Sequence, residues 1–200
     1  MKRYLKIMFI FLCVALLVGC QKTANEINTE SNPENNQSIH TNKKTLVVYF
    51  SATGTTKKLA QEAANILNAD IYEIIASDPY TKEDLAYYTD CRANQEQDDK
   101  SARPQISNKV DNMQDYDQIV LGYPIWHGHA PRIVHTFLES YDFSNKTILP
   151  FCTSGGSDMG TSDSYLHQFT ASSTSWHEGK RLLQDSSQQD LKDFLAILSD

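Results

Sequence analysis

The apolar run at residues 44–50 (KTLVVYF) passes directly into Ser51-Ala52-Thr53-Gly54-Thr55-Thr56. A segment with Leu59, Ala60, Ala63, Ala64 and Leu67 at helical spacing follows at once. A short β-branched and aromatic run without polar alternation is what a strand buried on both faces requires. The pattern recurs down the chain. Residues 71–75 are a second strand candidate and residues 118–122 (QIVLG) a third. The third leads into Tyr123-Pro124-Ile125-Trp126-His127-Gly128-His129-Ala130 and a helix that Pro131 can open, with Ile133, Val134, Phe137 and Leu138 as its apolar set. Residues 146–152 (KTILPFC) are a fourth strand, with Thr153-Ser154-Gly155-Gly156-Ser157 behind it, and residues 172–183 should supply a short fifth. Residues 188–199 form a closing helix with Leu191, Phe194, Leu195 and Leu198 on one side. Between these elements, residues 78–100 are expected to be a polar helix with loops at either end, anchored by Leu85, Tyr87 and Tyr88. A weakly patterned helix is expected over residues 162–168. Strands alternating with helices predict an α/β architecture, a parallel sheet covered on both faces.

Residues 1–19 read as an export signal. Lys2, Arg3 and Lys6 form a basic start, and the apolar run at residues 7–18 is shorter than the roughly 20 residues of a spanning helix. The run ends in Leu17-Val18-Gly19-Cys20, which resembles the lipobox of bacterial lipoproteins. That resemblance implies a lipid on the Cys20 thiol and a mature chain that begins there, exported and lipid-anchored to a bacterial membrane. Residues 20–42 are mostly Asn, Glu, Thr, Ser and Gln, a composition expected of a flexible tether. Residues 43–200 are long enough for one domain with a full core. Loss of three basic residues and no acidic one with the signal takes the formal net charge from −7 to about −10. This balance argues against nucleic acid and anionic lipid surfaces as partners. Cys91 and Cys152 are the cysteines of the domain and are expected to be unpaired thiols.

In an open parallel sheet a ligand binds beyond the carboxyl ends of the strands, where strand order reverses. Three loops leave strands at that edge. Residues 51–56 place four hydroxyl side chains and a glycine before a helix, where free amides and the helix dipole can hold a phosphate without Arg or Lys. A plain Ser/Thr helix cap is the alternative. The Gly-Lys-Ser/Thr ending of a nucleotide P-loop is missing. Pro124, Ile125 and Trp126 could wall a flat ring whose pyrimidine edge meets backbone amides there, or could plug the core. Residues 153–157 offer polar atoms and close backbone approach. Other chemistries lack parts: Cys152 is followed by no Arg at phosphatase spacing, His127, His129 and His135 lack a completing carboxylate or thiolate, and no Gly-x-Ser-x-Gly elbow occurs.

A strand, then Ser-x-Thr-Gly-x-Thr, then Gly-Tyr-Pro-Ile-Trp, then Thr-Ser-Gly-Gly resembles the flavodoxin-like family, and more narrowly the short bacterial flavodoxins whose second loop usually reads Pro-Ile-Trp-Trp-Gly. The likeness runs from about Lys44 to the C-terminus and includes Ala102-Arg103-Pro104 and Gly179-Lys180-Arg181-Leu182. It implies a flavodoxin-like three-layer sandwich with a five-stranded parallel sheet of order 2-1-3-4-5 and one bound FMN. Ser51, Thr53, Gly54, Thr55 and Thr56 would bind the phosphate. Pro124, Ile125 and Trp126 would bind the ring, and Thr153, Ser154, Gly155 and Gly156 its opposite rim. Thr55 stands where the family commonly has Asn, and His127 where the second Trp is usual.

The expected activity is electron transfer through FMN at the cell envelope, with a redox partner protein or a small electron acceptor at the other end. An NAD(P)H-dependent reductase of quinones or similar small acceptors, and a cofactor-free binding module on the same fold, stay open beside it.

Overall fold

The computed structural model describes Ile39 and residues 42–199; the expected signal segment, Cys20 and most of the expected tether lie outside those residues. Strand β1 (Thr45–Tyr49) is buried at every position. It pairs in parallel with β2 (Asp70–Glu73) on one side and β3 (Gln118–Pro124) on the other. Beyond β3 lies β4 (Thr147–Thr153), paired in parallel along its whole length. Two short strands, β5 (Ser175–Trp176) and β6 (Lys180–Arg181), share the next position against β4. The order β2-β1-β3-β4-β5 is the expected one.

The fifth position is split for a reason visible in β4. The carbonyls of Ile148 and Cys152 accept from the His177 and Leu182 amides, so every second residue of β4, including Pro150, turns its backbone to this neighbour. Pro150 has no N–H to give, and the ladder breaks opposite it. In β3, Gly122 lies beside Phe151 of β4, and a Cβ at that position would meet the Phe151 ring. The glycine is there for close approach.

Alternation along the strands divides the core into two layers. Val48, Ile119, Leu121 and Ile148 pack with Ile133, Val134, Phe137 and Leu138 of α3 (Arg132–Glu139). Val47, Tyr49, Val120 and Leu149 pack on the other face, against α1 (Thr55–Leu67) and α5 (Gln188–Leu195). Burying an aliphatic side chain contributes about 1.5–3 kcal/mol, so these two layers hold the sheet in place. Helix α5 starts with a capping box between Ser187 and Asp190. The last turn, Ala196–Ser199, is 3-10. The weakly patterned helix is α4 (Ser162–Leu166), continued by a 3-10 turn at His167–Phe169. Within the segment read as tether, the Ile39 amide donates to the Ile66 carbonyl at 3.1 Å and the side chain packs against the α1 layer. Among the described residues no helix is long and apolar enough to cross a membrane.

The largest departure from expectation lies before α3. The polar helix expected over residues 78–100 is reduced to α2 (Arg92–Asp98). The Asp84 carboxylate accepts from both the amide and the hydroxyl of Thr81, and the Asn94 side chain donates to the carbonyls of Tyr87 and Thr89. Local side-chain bonds of this kind give the backbone partners outside a helix. Of the three expected anchors only Leu85 is part-buried; Tyr87 and Tyr88 are 74% and 80% exposed.

Candidate functional site

The chain leaves β1 for the edge strand β2 and returns to β3 on the other side of β1, so strand order reverses between β1 and β3. A crevice opens there at the carboxyl ends of the strands. At its base, Gly54 precedes the first turn of α1 and donates its amide to the Ser51 hydroxyl at 3.1 Å. No side chain caps the helix, and no acidic residue stands in its first turn. The amides of Ala52, Thr53, Thr55, Thr56 and Lys57 have no acceptor among the described residues. Lys57 is turned away, its ammonium 2.8 Å from the Glu73 carboxylate. Free amides and hydroxyls at the positive end of a helix dipole are groups that can hold an anion without a cation.

Thr56 is 1% exposed, and its hydroxyl lies 2.8 Å from that of Thr153 at the end of β4. This bond ties the first loop to the third. When Thr153 is the donor, the Thr56 hydrogen is free to point at a ligand.

In the second loop, Trp126 and His129 exchange both backbone hydrogen bonds, at 2.9 and 3.0 Å, across His127 and Gly128. His127 has φ 47° and Gly128 φ 79°. Two central residues at positive φ with both bonds closed make a primed two-residue hairpin turn, in which Gly is unstrained and His is among the more tolerant L-residues. The hairpin presents Trp126 with one side against the core: its ring stands edge-on to Phe50 at 5.7 Å and to Tyr80 at 5.2 Å. The Ile125 amide donates to the Thr153 carbonyl at 2.9 Å. The expectation that amides of this loop serve a ring edge therefore narrows to His127, Gly128 and Ala130, because those of Ile125, Trp126 and His129 are already bonded within the protein. The His127 imidazole stands 3.9 Å from the Asp98 carboxylate.

The third loop is curled by Ser154, whose hydroxyl accepts from the amides of Gly156 and Ser157 at 3.2 and 2.9 Å. Arg181 of β6 holds it from outside, donating to the Ser154 carbonyl at 3.0 Å while pairing with Asp158. Cys152 just before it is buried, and desolvation pushes its thiol up to about 12, so it is no nucleophile at neutral pH.

All three loops line one cavity of about 570 Å³, within the range of about 300–1,000 Å³ found for small-molecule and cofactor sites. Ser51, Thr53, Thr56, Pro124, Ile125, Trp126, Ser154, Gly155 and Gly156 are in its wall. Gly54, Thr55 and Thr153 are not: Gly54 and Thr55 stand at the helix start beside it, and Thr153 supports Thr56 from behind. Sequence reasoning missed a fourth wall, Leu85, Tyr87, Ala93 and Asn94, supplied by α2 and the segment before it. The signal was present in Leu85 and Tyr87, apolar and aromatic residues in an otherwise polar stretch.

The chain resembles proteins of known structure along most of its length. A protein of Bacteroides eggerthii named as a flavoprotein is 38% identical with a TM-score of 0.74, covering 80% of this chain and 99% of its own. One of Bacteroides uniformis, named likewise, is 38% identical with a TM-score of 0.72 over 76% of this chain and 97% of its own. A flavoprotein of Lactobacillus acidophilus, solved in complex with FMN, is 26% identical with a TM-score of 0.57, covering 75% of this chain and 99% of its own. No match is found among curated proteins. The sequence model of the flavodoxin family matches residues 44–198, which span the sheet, helices α1 to α5 and every loop of the cavity, and the chain belongs to that family.

Proposed function

We propose that the cavity binds one FMN and that the protein transfers electrons through it to a redox partner protein or a small acceptor. The observation that carries this reading is the convergence of an uncharged anion cradle with an aromatic wall in one cavity, two chemistries that a flavin mononucleotide joins in one molecule. The FMN-bound relative from Lactobacillus acidophilus supports it. Thr53, Thr55 and Thr56, with the free amides around them, would hold the phosphate. Trp126, Ile125 and Pro124 would cover the ring, and Ser154, Gly155 and Gly156 would meet its opposite rim. FMN supplies reversible one- and two-electron chemistry that no side chain here provides. The protein's part is to bind, to orient the ring and to leave one edge open beside the half-exposed His127.

The purified protein should be yellow, with flavin absorption bands, and should take up FMN when stripped of it. A colourless protein with no affinity for FMN would overturn the reading. Thr56→Ala should raise the FMN dissociation constant about tenfold or more, the scale of one hydrogen bond to a charged group of about 1.5–3 kcal/mol, and affect riboflavin much less. Equal losses for the two ligands would remove the phosphate from this loop.

The lipobox-like end of the signal supports export and anchoring through Cys20 to a bacterial membrane. Cys20→Ser should leave an unprocessed precursor that takes up no labelled fatty acid. Label in the variant would sink the anchor.

A further inference from the structure

Helix α2 ends against the hairpin that carries Trp126. The Gln97 side chain is 6% exposed, and all its hydrogen bonds go to one stretch of backbone. Its Nε2 donates to the carbonyls of Trp126 and Ala130 at 2.9 and 3.3 Å, and its Oε1 accepts from the Arg132 amide at 3.0 Å. The Arg132 amide opens α3, where Pro131 has no side chain to cap it, so Gln97 satisfies a donor that the helix itself leaves free. Arg132 returns the contact. Its guanidinium, 4% exposed, donates to the Gln97 carbonyl at 2.6 Å and to the Glu96 carbonyl at 3.3 Å, the cation lying at the carboxyl end of α2 where the helix dipole favours it.

Only Ala93 and Gln97 of α2 are buried, and Ala93 is itself a wall of the cavity. Besides the looser approach of Asp98 to His127 at 3.9 Å, the grip of α2 on the hairpin therefore runs through the hydrogen bonds of Gln97 and Arg132. Gln97 itself is not in the cavity wall.

We infer that Gln97 is the positioning residue for the ring site: it fixes the Trp126 hairpin and couples it to the α2 wall, so flavin affinity depends on a side chain that touches no ligand. This rests on reading the cavity as a flavin site. A buried side-chain amide leaves costly unpaired groups when it is removed, which makes the clamp specific in geometry.

The test uses the full chain and the variants Gln97→Leu and Gln97→Glu, each with Trp126 and with Trp126→Ala. In flavin-free protein, Gln97→Leu should speed hydrogen exchange at the Arg132 amide by about tenfold or more. Affinity for FMN and for riboflavin should fall by the same factor, about tenfold, because the hairpin meets the ring and not the phosphate. With Ala at 126 the further loss should shrink to less than about threefold, the non-additivity of residues acting through one contact. Unchanged affinity, or the same loss in both backgrounds, would overturn the inference. Should Gln97→Leu fail to fold, Gln97→Glu carries the same reading, since it keeps the size and the acceptor for Arg132 and loses both donors. A wild-type protein that binds no flavin overturns the site reading alone, and the exchange rates then decide whether Gln97 holds the hairpin.

Discussion

Trp126→Ala is expected to raise the FMN dissociation constant about ten- to a hundredfold, the scale of an aromatic contact worth roughly 1–3 kcal/mol by analogy with stacking on bases. The same change should cost the flavin-free protein some stability, because the indole is half-buried and stands edge-on to Phe50 and Tyr80. Emptying a fully buried Trp site costs about 3–5 kcal/mol, so a part-buried one should lose about half of that. Titration of stripped protein and chemical denaturation of the same samples separate the two effects. A full core-sized loss of stability with unchanged affinity of the folded fraction would make Trp126 a plug over the core and leave the site to the other loops.

The second large effect concerns pH and lies outside the cavity. His135 of α3 is fully buried, stacks on Phe169 at 4.3 Å, and among the described residues has no hydrogen-bond partner for either ring nitrogen. Desolvation, reinforced by the charges of Arg132 and Arg103, pushes its imidazole down from 6.5 to about 3. The folded protein then binds fewer protons at this site than the unfolded chain between those two values. The stability it contributes is fully present above pH 6.5 and is lost as pH falls towards 3.

At 1.36 kcal/mol per unit the whole loss is on the order of 5 kcal/mol, a large share of a typical domain's about 5–15 kcal/mol. More than half of it should appear above pH 4.5, before the carboxylates held low by their partners, such as Glu139 beside Arg103, begin to titrate. Desolvation also lowers His129, which acts in the same sense. His135→Leu should flatten most of the fall in unfolding free energy between pH 6.5 and 4.5, measured by denaturant titration at each pH. An unaltered slope would move the acid sensitivity elsewhere.

The central strands and the outer helices were legible because burial leaves a mark on sequence. β1, β3 and β4 are covered on both faces and so read as unbroken apolar runs, while α1 and α5 bury one side and so carry the helical period. The edge strand β2 and the split fifth strand leave weaker marks, since an edge keeps polar residues and Pro150 interrupts the ladder beside it. The stretch before α2 misled for a different reason. Its Leu85 and Tyr87 face the cavity instead of the core, so they carry no helical period.

By itself the sequence determined the parallel α/β alternation and the three loops that leave strands at the carboxyl edge, because strand and helix periods are local; the strand order was implied by the family resemblance. It also determined that the first loop carries no Arg or Lys before Lys57, so that an anion there would meet only amides and hydroxyls. What only the tertiary structure decided are the contacts between residues far apart in the chain. The Thr56–Thr153 hydroxyl pair, the wall supplied from before α2 and the Gln97 clamp on the Trp126 hairpin all belong to this class. A side-chain hydrogen bond depends on two positions and an orientation that no local pattern encodes, and it appears only when packing has brought its partners to within about 3 Å.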